Sequence, residues 1–162
     1  MPIQLLDTTI TGLGAGGLPS GTVTSSSLAT SGKISVATAV RTTSQTLNGD
    51  SGWQDHLSLS FTAALASRAV IFFNPSSTYE QGAVQGFFRF ILDGNKIGYN
   101  FCSGKQTNNQ GGVCGAGWWY ADVSAGSHTI LIQARNLSGT WITPYRSVDG
   151  EVSNMLTVIY YG

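Results

Sequence analysis

Charge is the scarcest feature of this sequence: Asp, Glu, Lys and Arg make up 10% of its 162 residues, against about 25% in ordinary soluble domains. Eight basic side chains balance eight acidic ones. Such a chain is a poor partner for nucleic acid. Neutralising phosphates takes a basic stripe, whereas Lys33, Arg41, Arg68, Arg89, Lys96, Lys105, Arg135 and Arg146 stand singly along the sequence. Little repulsion keeps copies of an uncharged surface apart, so the composition predicts self-association or a place in a larger assembly.

Long apolar runs are also missing. None approaches the roughly 18 to 20 residues of a membrane-spanning helix. The opening Met-Pro-Ile-Gln-Leu-Leu-Asp lacks the basic start and continuous apolar stretch of a secretion signal. The expectation is cytoplasmic synthesis without membrane insertion. Cys102 and Cys114 are the two cysteines. Their spacing suits a disulfide across neighbouring strands, or two free and partly buried thiols, but not a zinc site, which needs further ligands nearby.

Catalytic signatures are absent as well. His56 follows Asp55 with Ser58 close by, but successive strand residues point to opposite faces, and no Gly-x-Ser-x-Gly elbow occurs. Asp55, Asp93, Asp122 and Asp149 lie at or near turn sequences, so no glycosidase pair stands out. Asp93-Gly94-Asn95 lacks the acidic run and distal Glu of a calcium loop. The glycines at 12–17 are followed by Pro19 and Ser/Thr residues, not by the helix a phosphate cradle requires. The expectation is a non-enzymatic protein with no catalytic residue, no metal and no cofactor.

What the sequence does contain divides into two parts. Residues 8–32 carry no charge and consist of Gly, Ser, Thr and small apolar residues. Such a segment cannot bury a core of its own, and ordering it costs entropy that a partner must offset. Residues 1–32 are therefore read as an extended docking arm, with Ile3, Leu5, Leu6, Ile10, Leu13, Leu18 and Val23 as anchors for separate pockets on that partner. Residues 33–162 suffice for one domain that buries about two thirds of its unfolded surface.

In that domain apolar residues alternate with polar ones, and nowhere do they recur at helical spacing. The alternation predicts strands at 34–40, 56–62, 69–74, 86–92, 96–101, 117–123, 127–136, 140–144 and 154–161. Turn sequences separate them, the strongest being Asp93-Gly94 between two apolar runs. Eight to nine short strands describe an all-β, jelly-roll-like sandwich. Adjacent aromatics such as Phe72-Phe73, Phe87-Phe88 and Tyr160-Tyr161 must each send one ring outward. A series of outward rings needs a cover, for which a sister subunit is the simplest candidate and the arm another. Trp118, Trp119 and Tyr120, with Trp141 and Tyr145, are candidates for stacking on sugar rings. The same rings also suit a core or a subunit interface.

The succession Trp53-Gln54-Asp55, Leu57-Ser-Leu-Ser-Phe61, Gly86-Phe-Phe-Arg-Phe-Ile-Leu-Asp-Gly94, Ser124-Ala-Gly-Ser-His-Thr-Ile-Leu-Ile-Gln-Ala-Arg135 and Leu156-Thr-Val-Ile159 resembles a β domain recurrent in tailed-bacteriophage fibres and virion-surface proteins. In layout that domain is similar to the trimeric tumour necrosis factor-like jelly rolls. Residues 10–24 look like the openings of many phage fibre modules. The resemblance implies a homotrimer with its C-terminal strands near a shared axis and its N-terminus attached to the virion. A short arm without a shaft favours a knob on the outer surface of the virion, decorating or cementing the capsid through the major capsid protein or other virion subunits. The alternative is the receptor-binding tip of a tail fibre that recognises host surface glycan.

Overall fold

A computed structural model describes residues 5–6, 9–10, 33–50, 52–76, 78–81, 84–106, 116–143 and 153–161. All regular structure among them is strand: β1 (Leu5–Leu6), β2 (Thr9–Ile10), β3 (Ile34–Arg41), β4 (Gln45–Asn48), β5 (Gln54–Ala63), β6 (Ser67–Asn74), β7 (Thr78–Gln81), β8 (Val84–Leu92), β9 (Asn95–Gln106), β10 (Gly117–Val123), β11 (Gly126–Asn136), β12 (Thr140–Thr143) and β13 (Asn154–Tyr161). Each of the nine predicted strands falls on one of these elements.

Two four-stranded antiparallel sheets form the body, in the orders β10-β6-β13-β3 and β5-β11-β8-β9. When these eight strands are counted along the chain, the orders become 6-3-8-1 and 2-7-4-5, the two interleaved Greek keys of a jelly roll. A smaller sheet, β4-β12-β7, is hydrogen-bonded separately from them but packs Leu47 and Trp141 into the same core, and β1 pairs with β2. The arm anchors Leu5, Leu6 and Ile10 fall in β1 and β2. Ile3, Leu13, Leu18 and Val23 lie outside the described residues, as do Cys114 and Tyr145, and the pairing of Cys102 with Cys114 rests on one of them.

The alternation places one side of every long strand inward. Along β11, His128, Ile130, Ile132, Ala134 and Asn136 are buried, while Thr129, Leu131, Gln133 and Arg135 lie on the other side. Phe73, Phe88, Phe90, Ile71, Leu156 and Val158 complete the centre. Phe88 meets Phe73 edge-on at 4.9 Å between ring centroids, a favoured aromatic geometry. Asp93 and Gly94 both take positive φ, 49° and 83°, as a tight right-twisting hairpin requires. The Asp93 carboxylate also accepts from the Thr129 amide at 2.8 Å, which ties the β8–β9 turn to β11.

Candidate functional site

The aromatic pairs divide as alternation demands. Phe73 and Phe88 are fully buried, Phe72 and Tyr161 are exposed, and Phe87 and Tyr160 are intermediate. Strand register gathers the outward residues of the first sheet into rows. Val36, Ile159, Val70 and Tyr120 form one such row, and Thr38, Thr157, Phe72 and Trp118 the next. Ile34 with Tyr161, and Val40 with Met155, extend the surface at either end. The exposure is large for apolar side chains, 62% at Val36, 67% at Ile34 and 63% at Trp118. An isolated exposed apolar residue is ordinary, but a contiguous sheet face of them marks an interaction surface.

Charge is nearly missing from this face. Arg68 and Asp122 sit together at one corner, with Arg68 Nε donating to Asp122 Oδ1 at 3.0 Å and its guanidinium 4.8 Å from the Tyr120 ring centroid. The pair neutralises itself and asks for no complementary charge. Beside it, Ile34, Val70, Ile159 and Tyr161, with Arg68 and Tyr160, rim a shallow hollow of about 170 Å³.

The second sheet presents the opposite chemistry. Its outward residues on β5 and β11 are Asp55, Ser58, Ser60, Thr62, Ser127, Thr129, Leu131, Gln133 and Arg135. They bond to one another and to neighbouring loops: Gln133 Nε2 donates to Asp55 Oδ1 at 2.7 Å, Arg89 donates to Gln133 Oε1, and Arg135 donates to both oxygens of Asp50. On β5 and β11 the outward side chains are mainly polar, whereas those of the β10-β6-β13-β3 sheet are mainly apolar.

The candidate sugar-stacking rings are only partly gathered: Trp119 and Tyr120 lie parallel with centroids 5.8 Å apart, while Trp141 stands away from them in the core. Trp118 and Tyr120 point outward on the apolar face, at its edge strand. Trp119 points to the other side, where it packs on Gly98 of β9 and meets Tyr99 edge-on at 5.6 Å. Gly98 has φ 64°, and a Cβ there would lie 2.6 Å from the indole, so glycine is required on both counts. Trp141 corrects the expectation. It is 0% exposed beneath the sandwich, against Phe88 and Gly86, and has no face for a ligand.

His56 is not a catalytic group in waiting. Leu57 pairs with Ile132 and Asp55 with Gln133, which leaves His56 as the extra residue of a bulge and turns it into the core. Asn154 Nδ2 donates to His56 Nε2 and to Thr143 Oγ1, so His56 carries its proton on Nδ1 and donates to Gln45 Oε1 at 2.7 Å. Asn154 Oδ1 accepts from the Ser76 amide, and Thr143 Oγ1 donates to Ser76 O. Both ring nitrogens are thus occupied within the fold. Burial, reinforced by Arg41, pushes the His56 pKa down to about 3. His128 is held differently, with Nδ1 2.7 Å from Asp93 Oδ2 and Nε2 3.0 Å from Ser124 O. Two acceptors favour imidazolium, and the bond to Asp93 followed by that to Ser124 raises its pKa.

The chain matches no protein-family model and no curated protein. Among solved structures it is similar to a family 35 carbohydrate-binding module from an environmental isolate, at 12% identity over 72% of this chain and 69% of that one, with a TM-score of 0.38. It is similar to infectious bursal disease virus Gx strain at 11% identity over 81% of this chain and 37% of that one, with a TM-score of 0.41. A family 35 carbohydrate-binding module from Clostridium thermocellum is 11% identical over 78% of this chain and 97% of that one, with a TM-score of 0.33.

Proposed function

We propose that this chain is a non-enzymatic structural protein of a bacteriophage virion surface: a homotrimeric jelly-roll knob, attached through residues 1–32, that decorates or cements the capsid. The observation that carries the reading is the apolar outer face of the β10-β6-β13-β3 sheet. Its occupant is a second and third copy of the same chain. The face is apolar and self-neutralised, so an apolar, uncharged surface of another copy complements it; about a three-fold axis that contact is heterologous, one part of the face meeting a different part on its neighbour. Zero net charge leaves little long-range repulsion to oppose the contact. The C-terminal strand β13 occupies an interior position in that sheet, which suits the packing about a shared axis that the resemblance to trimeric jelly rolls implies.

Sedimentation equilibrium tests the assembly. The wild-type chain should run at three times its 17.0 kDa mass, and Phe72→Glu combined with Ile159→Lys should give a folded monomer. A wild-type monomer would overturn the trimer. Electron cryomicroscopy of particles carrying the protein tests its place. Density over the icosahedral shell fits decoration, whereas density confined to the tail would replace it with the fibre-tip reading, for which the exposed Trp118 indole at the rim of the face would be the first residue to examine.

A further inference from the structure

The polar side of the sandwich carries a hollow that the assembly reading leaves unused. It has a volume of about 440 Å³ and is lined by Arg41, Asp55, Ser58, Ile91, Thr129 and Leu131, among others, within the range of about 300 to 1,000 Å³ typical of small-ligand sites. Ser58, Leu131 and Ile91 lie in one row across β5, β11 and β8. Leu131 and Ile91 therefore place an apolar floor in the middle of a face whose other outward residues on β5 and β11 are Ser, Thr, Asp, Gln and Arg. Ile91 is 8% exposed although it stands on the outward side of its strand, so it lies at the base of an open, shallow hollow beneath its neighbours.

The rim combines one guanidinium, one carboxylate and two hydroxyls. Arg41 donates through Nε to Thr43 O and through Nη1 to His56 O, which fixes the guanidinium. Asp55 is held through Oδ1 by Gln133. Thr129 Oγ1 lies 3.1 Å from Ser60 Oγ. These groups are positioned before any ligand arrives, which lowers the entropic cost of binding. The rim has no excess of positive charge to favour phosphate and no large apolar volume to favour lipid. Fixed donors and acceptors around a flat apolar floor match a pyranose ring, whose hydroxyls radiate around its edge and whose C–H groups cover its face.

We infer that this hollow is a binding site for neutral saccharide, on the side of the sandwich opposite the assembly face. It does not rest on the trimer, and sugar can reach it in a monomer or in an assembly built through the other sheet.

The test uses the full chain and a panel of soluble maltotriose, cellotriose, mannotriose, galactotriose and chitotriose, followed by amide chemical shifts in two-dimensional NMR. At least one trisaccharide should shift Ser58, Gly94, Thr129 and Leu131 together. Asp55→Ala should then raise its Kd at least ten-fold, and Ser58→Trp, which fills the hollow from an exposed position, should abolish the shifts while the thermal midpoint stays near that of the wild type. Binding that survives in folded Ser58→Trp would overturn the inference, as would shifts confined to Trp118 and Tyr120, or the absence of shifts with every trisaccharide at millimolar concentration.

Discussion

His56 and His128 respond to pH in opposite senses, and the difference lies in what faces each imidazole. His56 is buried beside an Asn donor and near Arg41, so its folded pKa of about 3 is below the unfolded value of about 6.5. Its contribution to stability is complete above about pH 6.5 and is lost as pH falls from there towards 3. His128 is bracketed by Asp93 and Ser124 and its pKa is raised. Its contribution is complete below about pH 6.5 and is lost as pH climbs through the raised folded value. Thermal midpoints measured from about pH 4 to pH 9 should therefore peak near the middle of the range. His56→Asn should flatten the acid limb while lowering stability throughout, and His128→Asn should flatten the alkaline limb. Curves that merely shift in parallel would contradict this assignment. The tryptophans make a second contrast at this scale. Trp141→Ala removes a fully buried indole and should cost about 3 to 5 kcal/mol, whereas Trp118→Ala, measured in the monomeric Phe72→Glu/Ile159→Lys background, should change stability by less than about 0.5 kcal/mol. Urea titration of both variants separates the two roles.

At the scale of elements, the β8–β9 hairpin shows why one turn was legible and others were not. Asp93-Gly94 between two apolar runs announces a tight connection, and the chain makes it. The same aspartate then serves His128 and the Thr129 amide, contacts that sequence spacing cannot show. Asp93→Ala loses both and places alanine at positive φ, so it should destabilise the protein by about 2 to 3 kcal/mol, read as a lower urea midpoint with an unchanged slope. Strands β4 and β7, Gln-Thr-Leu-Asn and Thr-Tyr-Glu-Gln, carry no useful alternation and become strands by pairing with β12. The bulge in β5 was likewise hidden. Alternation alone puts His56 and Ser58 on one side, but the extra residue places His56 inside and Ser58 outside.

For the whole molecule, the central distinction is between the two outer faces and the segment that precedes them. β1 pairs with β2 and with no other described strand, and the sandwich begins at β3. Removing residues 1–32 should therefore leave β3 to β13 folded and self-associating, as circular dichroism and sedimentation would report, while abolishing incorporation into particles. Loss of the fold on deletion would instead make those residues part of the core. Alternation in the sequence determined the all-β class, the nine principal strands and the outward turn of one ring from each aromatic pair, because period two is a local property of extended chain. Tertiary structure decided what those outward rings share. Strand order brings Val36, Ile159, Val70 and Tyr120 into one row from distant parts of the chain, sinks Trp141 beneath Phe88, and puts Leu131 beside Ser58 and Ile91 on the polar side. Register between strands dozens of residues apart is set by burial across both sheets at once, and no local window of sequence contains it.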